Sequence, residues 1–336
     1  MKRRVLLFLL LFLLCSCGLQ DKANTEEIQN EMTDTKIMNR ETFTLNTTIE
    51  DVINYLGFGD YGRLIFPVNG SYYSGNTLKD LRLTWYSNIV PDTTVKVVNH
   101  LKEKADAGET VFYDIYSKEE KREDPSKKDT GLFFFKGEAG QKFAVCNAGG
   151  GMVYVGAIHD SFPHALELSE RGYNAFVLIY RPGFDTAMED LGKAISFIID
   201  HADELEVDPN NYSLWGGSAG ARMAATLGNS QHLLYYTDRE DIPQAKAVIM
   251  QYTGHSEASE YDAPTYACVG TDDWIADWQT MERRLEILNS RYGIPVKFHV
   301  YEGLGHGFGL GEGTVAEGWI YDAIAFWEAQ IKERPE

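Results

Sequence analysis

From residue 111 to the end of the chain, continuous apolar runs of strand length alternate with segments of helical periodicity. Eight such runs occur in order: VFYDIYS, GLFFFKG, KFAVCNAGGG, YNAFVLIYRPG, NYSLWGGS, AKAVIMQYT, PTYACVGTDD and PVKFHVYEG. Strands that are apolar throughout are typical of a mostly parallel sheet that is covered on both faces. We therefore predict an α/β fold with an eight-stranded, mostly parallel sheet, helices on both faces and antiparallel early strands.

The segments between these runs include an amphipathic helix, DTAMEDLGKAISFIIDHADEL, and four further predicted helices, FPHALELSERG, AGARMAATLG, ADWQTMERRLEILNSRYG and TVAEGWIYDAIAFWEAQIKE. The charged stretch KEEKREDPSKKDT is predicted to be a solvated loop. Residues 47–110 form a predicted N-terminal extension and candidate lid, with helices at TIEDVINYL and TTVKVVNHLKEKAD and loops or short strands between them. Residues 111–336 make up the predicted main domain.

The N-terminus reads as a secretory signal, with basic MKRR followed by an apolar run of about ten residues, too short to span a bilayer. The sequence LCSCG that follows resembles the lipobox of bacterial lipoproteins. This resemblance implies that residues 1–16 are cleaved, that Cys17 is lipidated, and that the protein is exported and anchored to a membrane. The alternative is an ordinary cleaved signal. Residues 17–46 are polar and acidic and are predicted to be a flexible tether.

Charge and cysteine content exclude several functions. Loss of three basic residues with the signal lowers the formal net charge of −19 by 3 to −22, which excludes a nucleic-acid partner. Cys146 and Cys268 lie in strand-like runs and are predicted to be buried free thiols, one disulfide being the alternative. We predict no metal site and no cofactor, since CxxC, HExxH and a GxGxxG that opens a helix are all missing from the sequence.

The most specific motif is LWGGSAGARMAA, where the fifth run meets a predicted helix. Residues 216–220 satisfy G-x-S-x-G, the pattern that exposes a nucleophilic serine at a sharp strand-to-helix turn. Ser218 is therefore the candidate nucleophile, against the alternative of a structural glycine turn.

An attacking serine needs a base and an acid that orients it, in the chain order Ser, acid, His for this kind of sheet. The seventh run ends in VGTDDWIA, which offers Asp272 and Asp273, and the eighth is followed by His306 in a glycine-rich loop. We predict His306 as the base and keep His159 and His255, which also follow strand ends, as candidate substrate contacts.

Donors for an oxyanion are predicted at two places. One is the backbone N–H of Ala219, directly after the nucleophile. The other is the loop NAGGGM after the third run, where we assign Gly150 and Gly151, with Gly149 as a weaker candidate.

Three motifs, NAGGG, IYRPG and DPNNYSLWGGSAG, resemble those of the α/β-hydrolase superfamily, in its esterase/lipase branch near the hormone-sensitive-lipase-like and bacterial feruloyl- or acetyl-esterase-like groups. The resemblance covers about residues 111–333. The sequence departs from the family pattern at Ala148, where those families usually have His, and at Gly217, where an Asp is common. The resemblance implies the α/β-hydrolase fold and Asp273, rather than Asp272, as the acid.

The resemblance further implies a carboxylesterase, which the N-terminal signal predicts to be exported, and we expect it to act on short acyl esters. Only GHSEASEYDA joins the sixth and seventh runs, which leaves no room for a large cap there. Acetylated or feruloylated carbohydrate is the expected substrate, with aromatic residues such as Trp274 available to stack on a sugar. The alternatives are a serine peptidase of the prolyl-oligopeptidase type and a non-catalytic surface lipoprotein.

Overall fold

The eight predicted strands are present and form one sheet in a computed structural model that describes residues 42–332. The strands of this sheet are β3 Phe112–Asp114, β4 Gly131–Phe135, β5 Lys142–Asn147, β6 Asn174–Ile179, β7 Asp208–Gly217, β8 Ala247–Gln251, β9 Thr265–Gly270 and β10 Val296–Tyr301, and a separate antiparallel hairpin pairs β1 Tyr73–Ser74 with β2 Arg82–Leu83. Their order in the sheet is β10-β9-β8-β7-β5-β6-β4-β3. Within this eight-stranded sheet only the β3–β4 and β4–β6 pairs are antiparallel, so the predicted fold class is confirmed.

The central strands are covered on both faces, because every residue of β6, β8 and β9 is buried. The helices of the described range are α1 Ile49–Ile53, α2 Pro91–Asp106, α3 Lys118–Glu123, α4 Ala157–Asp160, α5 Phe162–Glu170, α6 Phe184–Asp200, α7 Ala202–Leu205, α8 Ala219–Gly228, α9 Ser230–Thr237, α10 Trp278–Tyr292 and α11 Trp319–Lys332. Helices α6, α8 and α9 pack on one another, and α2 packs on α5.

One local prediction is wrong, since part of the charged stretch KEEKREDPSKKDT forms helix α3 rather than a loop. A capping box begins this helix: the Ser117 hydroxyl accepts the Glu120 amide at 3.2 Å, and the Glu120 carboxylate accepts the Ser117 amide at 2.8 Å. These two bonds satisfy backbone donors that a helix start otherwise leaves unpaired.

The N-terminal extension shares its hydrophobic core with the sheet, and its buried side chains include Phe58, Leu64, Phe66 and Leu101. This compact unit begins at Phe43, a few residues before the predicted end of the tether. Phe43 is buried, and its backbone exchanges two hydrogen bonds of 2.8 Å with the Asn99 side chain. Residues 1–16 and Cys17 lie outside the described residues.

Two further predictions concern membranes and thiols. Within residues 42–332, we find no helix with the length and apolar character needed to span a membrane.

Cys146 and Cys268 are buried free thiols, as predicted, and do not form the alternative disulfide. Burial raises the pKa of both thiols, so they remain protonated at neutral pH.

Candidate active site

Ser218 lies on a sharp turn between the end of β7 and the start of α8. Its backbone has φ 53° and ψ −115°, a conformation that costs free energy in any residue with a side chain. The Ser218 amide donates to the Gln251 carbonyl oxygen at 2.9 Å, which fixes the turn against the neighbouring strand β8. The hydroxyl is therefore presented above the carboxyl edge of the sheet, and the side chain is partly exposed.

Three side chains from three strand ends form a continuous hydrogen-bonded row. His306 Nε2 lies 3.0 Å from Ser218 Oγ, and His306 Nδ1 lies 2.7 Å from Asp273 Oδ2. The Asp273 side chain is fully buried, and that of His306 is 3% exposed. In this arrangement the carboxylate orients the imidazole, which leaves Nε2 free to take the proton of the serine.

The structure distinguishes the two adjacent aspartates. Asp273 Oδ1 accepts the backbone amides of Ile275 and Ala276 at 2.8 and 2.7 Å, while Oδ2 faces His306. Asp272 is exposed, and its carboxylate accepts only the Thr271 hydroxyl among the described residues. Asp273 is thus the acid in contact with the base.

The loop after β5 passes directly beside the nucleophile, since a Cβ added at Gly149 would lie 2.9 Å from the Ser218 Cβ. The Gly149 amide donates to Asp160 at 2.6 Å and is not available to a substrate. Among residues 42–332, the amides of Gly150, Gly151 and Ala219 have no protein acceptor. These are the three donors predicted for an oxyanion, and the helix α8 that starts at Ala219 adds its favourable field for negative charge.

Sequence reasoning missed Asp160, the buried last residue of α4. Its carboxylate accepts the Gly149 amide, the Tyr86 hydroxyl at 2.9 Å and the Tyr252 hydroxyl. Burial raises the pKa of Asp160 to about 6, against the lowering effect of these donors and of nearby His306. The sequence signal for it is weak: an acid within the mostly apolar stretch VYVGAIHDSF.

Asp160 also explains why the elbow carries Gly217 where related families have Asp. A Cβ at position 217 would collide with the Asp160 carboxylate. The carboxylate therefore lies between the elbow and the oxyanion loop, in contact with both, and Gly217 provides the room for it.

A second missed feature is the segment Thr84–Ser87 of the N-terminal extension, which we call the 84–87 segment. The Ser87 hydroxyl donates to the His306 carbonyl oxygen at 2.7 Å, and the Tyr86 hydroxyl donates to Asp160. These contacts join residues more than 70 positions apart in the chain, so no local sequence pattern predicts them. The extension thus forms part of the active-site wall.

Two histidines expected as substrate contacts are buried instead. His159 Nε2 lies 3.0 Å from the Gly307 carbonyl oxygen and so supports the loop that carries His306. Burial lowers the pKa of His159 to about 4 and that of His255 to about 3, so both rings are neutral at pH 7. Within the described residues, no group of three or more His, Cys, Asp or Glu side chains is arranged to hold a metal ion.

Comparison with known proteins gives one family match and several solved structures of similar fold. A family model described as BD-FAE matches residues 138–263, a range that includes the oxyanion loop and the elbow but ends before Asp273 and His306. No curated protein sequence matches the chain.

Three solved structures are similar in fold. Esterase 2 from Thermogutta terrifontis has a TM-score of 0.53 and 22% identity, over 62% of this chain and 92% of that one. An acetyl ester-xyloside bifunctional hydrolase from Caldicellulosiruptor lactoaceticus has a TM-score of 0.51 and 19% identity, over 60% and 88%. A sugar hydrolase from Lactococcus lactis has a TM-score of 0.51 and 21% identity, over 60% and 95%.

The chain therefore has the α/β-hydrolase fold, and the resemblance to this superfamily that the sequence motifs indicate is confirmed.

Proposed function

We propose that this protein is a serine hydrolase that cleaves carboxylic esters through an acyl-enzyme on Ser218. The row from Ser218 Oγ through His306 to Asp273 carries the proposal, because its two hydrogen bonds of 3.0 and 2.7 Å supply a nucleophile, a base and an orienting acid. The match to the family model and the esterase folds support the same class.

In the acylation half, His306 Nε2 takes the Ser218 proton as the serine oxygen attacks the ester carbonyl carbon. The carbonyl π electrons move to its oxygen, and the free amides of Gly150, Gly151 and Ala219 stabilise that oxyanion. When the carbonyl re-forms, the bond to the alcohol oxygen breaks. The alkoxide takes the proton from His306 and leaves as an alcohol.

In the deacylation half, water replaces the alcohol. His306 removes a proton from water as its oxygen attacks the acyl carbon, and the same amides stabilise the second oxyanion. Breaking the bond to Ser218 releases the carboxylic acid and returns the proton to the serine. The buried Asp273 carboxylate stabilises the imidazolium in both halves.

The proposed substrate is a short acyl group, acetyl or feruloyl, on a carbohydrate. The connection between β8 and β9 is short and contains no inserted cap, which leaves the site to be covered by the N-terminal extension. One of the similar structures is named an acetyl ester-xyloside bifunctional hydrolase and another a sugar hydrolase, and these names favour the same substrate class.

We also propose that the protein is exported and anchored through a lipid on Cys17. Metabolic labelling of cells with a palmitate analogue tests this. The wild type and Cys15→Ala are expected to be labelled, and Cys17→Ala is not. Labelling that survives Cys17→Ala would contradict the assignment.

A fluorophosphonate probe tests the hydrolase, since it bonds to a serine only where that serine is activated. The wild type is expected to be labelled, and Ser218→Ala and His306→Ala are not. Ser256→Ala, an exposed serine on another loop, is the matched control and retains labelling. Loss of Ser218 should lower kcat for p-nitrophenyl acetate by at least about 10⁴-fold.

The remaining outcomes separate the alternatives. An unlabelled wild type would indicate a non-catalytic binding lipoprotein. A labelled wild type that cleaves dipeptide amides faster than p-nitrophenyl acetate would indicate a peptidase.

A further inference from the structure

Trp85 occupies a position in which turn geometry favours glycine. The Tyr86 amide donates to the Leu83 carbonyl oxygen at 3.3 Å, which closes a tight turn with Trp85 in its third position. The backbone of Trp85 has φ 73°, in the left-handed region that bulky residues rarely adopt. A strained conformation of this kind persists where neighbouring contacts hold it, and such positions concentrate at functional sites.

Three of the contacts that hold the segment are with residues at or next to the candidate active site. The Thr84 carbonyl oxygen accepts the Tyr154 hydroxyl, Tyr86 donates to Asp160, and Ser87 donates to the His306 carbonyl oxygen. The 84–87 segment is therefore fixed at both ends, and Trp85 between them is held in one place.

The Trp85 ring lies over the oxyanion loop. Ring atoms lie 2.8 and 3.1 Å from where a Cβ at Gly151 would be, so only glycine at 151 allows the ring this close. One side of the indole packs at 5.9 Å, centroid to centroid, against Tyr154, while 40% of the residue is exposed. The segment also reaches the other side of the site, because the Trp85 carbonyl oxygen lies 3.0 Å from the Cβ position of Gly307.

We propose that Trp85 is a specificity-determining residue whose exposed indole face stacks on a ring in the alcohol part of the ester, a pyranose. This inference rests on the proposed ester hydrolase. The alcohol must leave within hydrogen-bond reach of His306 Nε2, which gives it its proton. The 84–87 segment contacts both the loop of His306 and the loop of the predicted amide donors. The apolar C–H face of a pyranose matches a flat aromatic surface, and the rigid, two-angle side chain loses little entropy on binding.

The test compares three esters in the full-length enzyme: an acetylated xylopyranoside, ethyl acetate and the ethyl ester of ferulic acid. Trp85→Gly removes the ring and suits the left-handed turn, so the backbone strain is relieved while the platform is lost. We expect kcat/KM for the acetylated xyloside to fall about tenfold, mainly through KM, and kcat/KM for ethyl acetate to change less than twofold. Trp85→Phe retains a ring and is expected to recover most of the loss.

Tyr235→Ala is the control, since Tyr235 is an exposed aromatic residue of α9. It should leave all three rates unchanged. Equal losses on xyloside and ethyl acetate would overturn the proposal by assigning Trp85 a structural role. A loss confined to the ferulate ester would overturn it by placing the ring on the acyl side. A wild type inactive on every ester, with Ser218→Ala identical to it, would instead contradict the proposed hydrolase itself.

Discussion

At the scale of single residues, the site depends on a buried carboxylate that does not touch the reacting atoms. Asp160 holds the Gly149 amide at 2.6 Å and so directs the oxyanion loop, while Gly217 makes room for it beside the nucleophile. Because oxyanion stabilisation depends on donors fixed in advance, the position of this loop affects the transition state more than substrate binding.

Asp160→Asn is predicted to lower kcat by about 10²-fold with little change in KM. The asparagine NH2 replaces one of the two acceptor oxygens and so faces either the Tyr252 hydroxyl or the Gly149 amide and the Tyr86 hydroxyl, which all donate to the carboxylate. Steady-state kinetics measure this. The pH profile gives a second readout: ionisation of Asp160 near pH 6 contributes to the acid limb of the wild type and is missing in the variant. Tyr86→Phe removes one donor to Asp160 and leaves the hydrogen bond from the Gly149 amide, so it should lower kcat by less than about fivefold. A kcat for Asp160→Asn within twofold of the wild type would contradict the role.

Ser218 and His306 could be predicted from the sequence, and the choice of acid could be reduced to Asp272 or Asp273. Each of these residues follows a strand, and the apolar pattern shows where that strand ends. Asp160 could not be assigned in the same way. Its three donors come from a loop, a strand end and the N-terminal extension, and only the folded chain brings them together.

At the scale of elements, the end of β6 and the start of α6 are joined by a buried ion pair. Arg181 donates to Asp190 through Nε and Nη2 at 3.0 and 2.7 Å, and the Arg181 amide donates to the same carboxylate at 2.7 Å. The Asp190 side chain is fully buried, and the Tyr116 hydroxyl completes its set of donors. This junction also supports the oxyanion loop, because the Gly183 amide donates to the Met152 carbonyl oxygen.

Arg181→Met is predicted to lower the free energy of unfolding by about 3–5 kcal/mol, because it leaves a buried carboxylate without its cation. Urea denaturation measures the loss. The double variant Arg181→Met/Asp190→Leu should recover most of it, since neither charge then remains. Arg239→Met removes two more exposed ion pairs, with Asp200 and Asp241, and should lower the free energy of unfolding by less than about 1 kcal/mol. An Arg181→Met protein as stable as Arg239→Met would contradict the assigned role of the junction.

The strands of the sheet were predictable because burial on both faces leaves them apolar along their whole length. Helix α3 was not predictable from apolar periodicity, because none of its residues is buried. Its capping signal, Ser117 followed three residues later by Glu120, was nevertheless present in the sequence.

At the scale of the whole molecule, buried histidines set how stability depends on pH. Burial lowers the pKa of His159 to about 4 and of His164 and His255 to about 3, below the ordinary value of 6.5. Unfolding exposes these rings, so the unfolded chain binds protons that the folded protein does not. The stabilisation is present above pH 6.5 and is lost as pH falls from there towards the folded pKa values.

The free energy of unfolding is therefore predicted to fall between pH 7 and pH 5, by up to about 1.4 kcal/mol per pH unit for each histidine. The raised pKa of Asp160 has the opposite effect on stability: below about pH 6 the folded protein binds a proton there that the unfolded chain does not. This proton offsets the contribution of one of the three histidines. Urea titrations at both pH values measure the difference, and His164→Phe should reduce it. A wild type equally stable at pH 5 and pH 7 would contradict this prediction.

The contacts of the 84–87 segment have a further consequence for how this protein can diversify. The candidate nucleophile, acid and base come from the second half of the chain, whereas the aromatic wall beside them comes from the first third. Under the function proposed above, substitutions around residue 85 would alter which alcohols are accepted and leave Ser218, Asp273 and His306 unchanged. Selection would then act on substrate range and on reaction chemistry through separate stretches of the gene.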